Sequence, residues 1–347
     1  MVLYRELSVA FRCWQTGHSA VAVGKLVLIA LGEDAKLEMI NHRAVTEFLL
    51  LGSSTDPGTQ NLHGTLFLTV YLAALTGNGL IIFLITCDLR FHTPMYFLLK
   101  NLSFIDFGYI SVTVPKFVLN SLMHRSSISF LGCVLQVFFF VVFACAELAI
   151  LTVMSYDLYV AICCPLHYEV IMNTGACGQM VVASYISGVV SGAMHTAATF
   201  SITFSSNRIH QFFCDIPQII LIADSQLNIG ELGITALIFS ASLVCFVFIV
   251  YSYVHIFSII QKASSEGRNK ALSTCIPLLV GVILFILTAS LDYLKPPSNV
   301  RSVLDLILSV FYTVLPPTLN PIIYSLRNKE MNAALGKVLG MEVFKSN

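Results

Sequence analysis

Residues 134–157 read VLQVFFFVVFACAELAILTVMSYD. This run is apolar along most of its length, and Glu147 is its one charged side chain before Asp157. About 20 apolar residues cross a bilayer core as a helix, and backbone groups inside lipid must pair within the segment. The run is therefore a membrane span. Six more stretches read the same way, at 63–87, 95–120, 178–200, 229–260, 272–294 and 304–325. Of the seven, the second and fourth are the least hydrophobic. Pro, Gly or Ser inside several of them is tolerated in helix bundles. The whole chain agrees: 347 residues, 56% hydrophobic, 11% charged, mean hydropathy +0.82. Soluble domains carry roughly a quarter charged residues, so a soluble enzyme is excluded first. A formal net charge of zero removes the polybasic footprint of a nucleic-acid binder. The expected fold is an all-α membrane protein, a seven-transmembrane helix bundle with a short amphipathic C-terminal helix.

Seven spans put the termini on opposite sides, and Lys/Arg placement sets the orientation. One set of loops holds Arg90, Lys262, Arg268, Lys270, Arg327, Lys329, Lys337 and Lys345; the other holds Arg125, Arg208, Lys295 and Arg301. The bias favours an extracellular N terminus and a cytoplasmic tail at the plasma membrane, although Arg5, Arg12, Lys25, Lys36 and Arg43 run against it. The expected organisation is an N-terminal segment 1–62, a seven-span domain 63–325 and a tail 326–347. Residues 1–38 read as an atypical extension. Their apolar part, Val21–Leu31, is too short to span and lacks a small-residue cleavage site, so it is not read as a signal peptide. In the tail, Leu326, Met331, Leu335, Val338 and Leu339 have helical spacing suited to the inner membrane surface.

Of ten cysteines, Cys87, Cys145, Cys163, Cys164, Cys177, Cys245 and Cys275 fall within spans or on their inner side, and Cys13 lies in the extension. Cys133 and Cys214 are left at the oxidising outer face, where a bridge is expected; two unpaired thiols is the alternative. The nine histidines are scattered and no CxxC or HExxH spacing exists, so metal catalysis has no support. Asp106 and Glu147 fall mid-span in spans two and three. Charge facing lipid is costly, so both should face the bundle interior. There they share a cation or a proton, or each is neutral and hydrogen-bonds across helices. Phe140, Ala144, Glu147, Leu151, Met154 and Leu158 fall on one face of span three at helical spacing. The outer half of that stripe suits a small, mostly hydrophobic ligand, or else simple core packing.

Six ordered motifs are more specific. Gly77-Asn78 lies in span one. Phe91-His92-Thr93-Pro94-Met95-Tyr96-Phe97 precedes Asn101-Leu102-Ser103 and Asp106. Met154-Ser155-Tyr156-Asp157 runs into Tyr159-Val160-Ala161-Ile162-Cys163 and Pro165-Leu166-His167-Tyr168. Ser252-Tyr253 closes span five, and Lys270-Ala271-Leu272-Ser273-Thr274-Cys275 opens span six. Pro317-Thr318-Leu319-Asn320-Pro321-Ile322-Ile323-Tyr324 ends span seven. Over about residues 45–340 the set resembles vertebrate olfactory receptors, which are rhodopsin-like (class A) G-protein-coupled receptors.

The resemblance implies olfaction by sensory transduction: an odorant binds, and a heterotrimeric G protein of the stimulatory olfactory type raises cyclic AMP. It implies a Cys133–Cys214 disulfide and a sodium ion at Asp106 and Glu147. It implies an odorant cavity lined by Phe140, Val141, Ala144, Cys145, Ala289 and Tyr293, with Ile216 above. Activation-switch positions map to Asp157, Leu158, Tyr159, Tyr253, Asn320, Pro321 and Tyr324.

The departures are equally specific. The family's Asp-Arg-Tyr triplet reads Asp157-Leu158-Tyr159, and its span-six His reads Leu278. Its second loop cysteine pair is replaced by Ser205 and Asp224. Asn41-His42-Arg43 does not form the usual N-terminal glycosylation sequon. These changes motivate a second expectation, a receptor-like protein with impaired signalling. A channel or transporter would show inverted repeats or more intramembrane charge. An enzyme is the weakest reading, because no nucleophile–base pair is recognisable.

Overall fold

In the computed structural model, described residues are 45–52, 56–223, 229–261, 303–327 and 329–338, with helical positions at 272, 275–276, 279–280, 282–283 and 286–287. The 1–38 extension, Asp224, Leu278, Ala289 and Tyr293 lie outside the described residues, as does the side chain of Tyr324.

The spans are helices set by caps rather than by hydropathy alone. Span one is Pro57–Cys87, where Pro57 occupies the first turn and Asp56 Oδ2 accepts from the Thr59 N–H at 2.7 Å. It therefore begins before the apolar run at 63. Span two is Pro94–Leu122 and starts on a proline in the same manner. Span three is Phe130–Cys163, capped by Ser129 accepting from Gly132 N–H at 3.1 Å. Span four is Thr174–Phe200, capped by Asn173 accepting from Ala176 N–H at 2.9 Å. Span five is Ile229–Ile260. Span seven is Val303–Arg327, and a further helix, Lys329–Val338, follows it and buries Met331 and Ala334. The first five spans are each long and apolar enough to cross a membrane. Hydropathy reads only the hydrocarbon thickness, whereas polar caps let the helices run past it.

Many large apolar side chains stay on the outside: Leu66, Phe83, Phe104, Leu135, Val182, Leu243 and Val254 are all exposed. A lipid-facing helix requires this, and it inverts the soluble pattern. Inside, small residues permit close contact. A Cβ on Gly188 of span four would lie 2.5 Å from the Val142 carbonyl oxygen of span three, and one on Gly192 would lie 2.7 Å from Val142 Cγ2. Span four thus lies against span three through a Gly-x-x-x-Gly face.

At the end expected to be the outer one, β1 (Glu47–Leu50) is the middle strand of a three-stranded sheet in the order β2-β1-β3. It pairs antiparallel with β2 (Ser127–Ser129), Phe48 opposite Ile128, and parallel with β3 (Arg208–Ile209), Leu50 opposite Ile209. The segment before span one is thereby laced to both outer loops. Beneath the sheet Phe48 is fully buried, edge-on to Phe204, and Phe212 packs on Phe67 and Phe117. At the opposite end, expected to be the inner one, Arg90 pairs with Asp88 at 2.6 Å. The Arg90 guanidinium holds the Asp88 carboxyl down at about 2.

Candidate functional site

Midway through the bundle, spans two, three and seven meet at three polar side chains. Asn320 Nδ2 donates to both oxygens of Asp106, at 3.1 and 3.0 Å, and lies 3.5 Å from Glu147 Oε1. Asp106 is fully buried and Glu147 is 1% exposed. Glu147 Oε2 is also buried and has no hydrogen-bond partner among the described residues. Two carboxyl groups around one amide, with an oxygen left over, can hold either a proton or a hard monovalent cation. Carboxylate oxygens suit such an ion, and here the amide turns its Nδ2 toward them. No cluster of three or more His, Cys, Asp or Glu fit for a metal exists among the described residues.

One layer away, span seven carries Pro316, Pro317 and Pro321. A proline has no N–H, so Pro321 leaves the Pro317 carbonyl without its helical donor. Asn78 of span one supplies one: its Nδ2 donates to the Pro317 oxygen at 2.9 Å and to Ala74 O at 3.1 Å. The neighbouring Gly77 makes room, because a Cβ there would lie 3.0 Å from Pro321 Cβ.

Above this layer, Phe140 stacks on Tyr109 at 5.1 Å and tilts against Phe213 at 5.6 Å. Val141 and Ile216 are buried in the same aromatic cluster, and Ala144 and Cys145 are half-buried at its edge. Five of the expected lining residues therefore share one outer cluster. The Cys133–Cys214 disulfide roofs it, with Cα atoms 5.6 Å apart. Gln136, one turn below Cys133, ties three elements together. Its Oε1 accepts from the Cys214 N–H at 2.9 Å, and its Nε2 donates to Val112 O of span two at 2.9 Å.

At the inner end, Asp157 is 4% exposed and accepts from the Tyr168 phenol at 2.8 Å. Burial first, and then the Asp157 charge, push the Tyr168 phenol above its ordinary range. Leu158 joins the apolar core with Met154 and Leu151. Tyr159 meets His255 of span five edge-on at 6.2 Å, and the Tyr253 ring is buried against Phe257. Leu166, in the turn between spans three and four, is 94% exposed.

Sequence reasoning missed the roles of Gln136, Tyr168 and Leu166. A glutamine inside an otherwise apolar run was the available signal for Gln136. The Tyr168 bond depends on how the chain folds back after Pro165, and no spacing rule announces that.

The chain matches the family model described as "Olfactory receptor" over residues 67–342. It is 55% identical over 302 residues to human olfactory receptor 14L1, covering 86% of this chain and 93% of that one. To human olfactory receptor 14A16 it is 52% identical over 303 residues, covering 87% and 98%. A crystal structure of squid rhodopsin superposes with a TM-score of 0.59 at 18% identity, covering 81% of each chain, so the fold is the rhodopsin-like seven-transmembrane bundle. The protein is a multi-pass, non-enzymatic membrane receptor, and the chain belongs to the olfactory receptor family.

Proposed function

We propose that this receptor sits in the plasma membrane with its N terminus outside, binds a small, mostly apolar odorant in the outer half of the bundle, and activates a stimulatory olfactory-type G protein. The segment 1–62 is then extracellular, 63–325 the receptor domain and 326–347 the cytoplasmic tail. The ligand contacts are Phe140, Val141, Ala144, Cys145, Ala289 and Tyr293, with Ile216 above. Tyr293 and Cys145 are the side chains able to address a weakly polar group. The observation that carries this reading is the Asn320 bridge between Asp106 and Glu147. It couples three spans immediately below the Phe140 cluster, so a ligand there can bias how they pack.

An odorant shifts the equilibrium only by its differential affinity for the two arrangements. Asp106, Glu147 and Asn320, with a sodium ion between the acids, form the resting hinge. Pro321 is the point where span seven bends, and Tyr324 moves with it. The inner ends of spans three, five and six, through Asp157, Tyr159 and Tyr253, open to receive a G-protein helix. Leu166 supplies an apolar contact beside that opening. In this chain Tyr168 takes the resting-state role of the missing guanidinium, because its phenol holds Asp157.

A second reading, impaired signalling, is favoured by one observation: Leu158 is buried in the apolar core and offers a G protein no charge. A cyclic AMP reporter challenged with a broad odorant panel tests the first reading. A ligand-dependent rise supports it; silence to the whole panel from a receptor stained at the cell surface contradicts it.

A further inference from the structure

The structure holds a cavity of about 370 Å³ far from the odorant cluster, where the end of span one meets the starts of spans two and four. Its polar lining is Lys100, His92, Thr86, Thr93 and Thr174, and its apolar lining includes Ile85 and Phe97. Lys100 is half-buried in the second turn of span two and makes no ion pair among the described residues. Helical side chains lean toward the helix N terminus, so its stem points back down toward the span's start. Span four also presents its N-terminal end here, and helix N-termini favour anions. Two acids lie in this region: Asp88 pairs with Arg90, and Asp157, near the lining Cys177, accepts from Tyr168. The cavity is therefore cationic on one side and greasy on the other, and Phe97 is exposed beside it.

We propose that this cavity binds the headgroup of an acidic phospholipid of the inner leaflet. The anionic oxygens of the headgroup, the phosphate and in phosphatidylserine the serine carboxylate, accept from the Lys100 ammonium, the His92 ring N–H and the Thr174 hydroxyl, whereas a choline cation would meet the Lys100 charge; the acyl chain lies along Phe97 and the lipid-facing side of span two. The match is one of charge and polarity: an anion attached to hydrocarbon meets a cation set at the rim of an apolar helix face. Anionic lipids concentrate in the cytoplasmic leaflet, and basic groups near that surface attract them. A bound headgroup ties spans one and two to span four at their inner ends. The leaflet assignment rests on the orientation proposed above; the site itself does not.

Native mass spectrometry of the full chain released from nanodiscs of phosphatidylcholine and phosphatidylserine tests this. Both leaflets of a nanodisc carry the same lipids, so the result is independent of orientation, which epitope staining of intact cells tests separately. The wild-type chain is expected to retain phosphatidylserine over phosphatidylcholine by about fivefold. Lys100→Gln should abolish the preference and Lys100→Arg should keep it. Lys116→Gln, which removes a cation nearer the outer end of the same span, should leave it unchanged. Equal retention of both lipids, equal loss in Lys100→Gln and Lys116→Gln, or displacement of phosphatidylserine by inorganic phosphate would each overturn the proposal.

Discussion

Asn78 donates to the Pro317 carbonyl, the acceptor that Pro321 leaves without a helical partner. The side chain of one span thereby completes the backbone of another. Asn78→Ala should cost about 1–3 kcal/mol, because it orphans a buried acceptor. Pro321→Ala restores the helical donor. The double variant should then be less destabilised than the sum of the two singles, since both act on one carbonyl. Thermal unfolding of the four purified proteins in detergent measures the coupling, and strict additivity would break the link.

Glu147 Oε2 is buried with no hydrogen-bond partner among the described residues. If a sodium ion occupies that position, sodium chloride should raise the unfolding temperature over choline chloride at equal ionic strength. Binding to the native state alone at 100 times the dissociation constant stabilises by about 2.7 kcal/mol. Glu147→Gln should remove the salt-specific shift, because an amide leaves the ion under-neutralised. A shift that survives in the variant would place sodium elsewhere.

Cys133 and Cys214 lie 81 residues apart in sequence, and Gln136 adds a hydrogen bond beside them. Replacing both cysteines by serine should cost about 2–5 kcal/mol and sharply reduce surface staining. Gln136→Leu should cost less, about 1–3 kcal/mol, by leaving the Cys214 N–H and Val112 carbonyl without that partner. The ranking of the two by cell-surface flow cytometry is the check.

The Gly188 contact concerns backbone, so it cannot relax by rotating a side chain. Gly188→Ala should therefore destabilise by about 1–3 kcal/mol. Gly178, on the same helix, has nothing within 4 Å of an added Cβ. Gly178→Ala should be neutral or stabilising, by up to about 1 kcal/mol, because alanine is the better helix former and meets no neighbour there. Matched unfolding curves decide it.

Much of this molecule is legible in its sequence. The apolar runs locate the spans because lipid imposes a single rule on every residue facing it, and the cost of buried charge turns Asp106 and Glu147 inward. What escapes is what depends on register and chain reversal. Residues 47–50 show no strand alternation of their own; they become a strand because Ser127–Ser129 and Arg208–Ile209 offer edges on either side. Tyr168 reaches Asp157 only because the turn at Pro165 folds the chain back along span three. The helix starts at Pro57, Phe130 and Thr174 escape a hydropathy reading because caps lie outside the lipid, where polarity carries no penalty.

On the function proposed above, a receptor with Leu158 in place of an arginine still signals, with Tyr168 holding Asp157. The direct measurement compares odorant-evoked cyclic AMP in cells expressing the natural chain, Leu158→Arg and Tyr168→Phe at matched surface levels. The expected outcome is a dose-dependent response from the natural chain and raised basal cyclic AMP in Tyr168→Phe, which removes the phenol hydrogen bond to Asp157. A response confined to Leu158→Arg, with the natural chain silent to the same odorants, would contradict it.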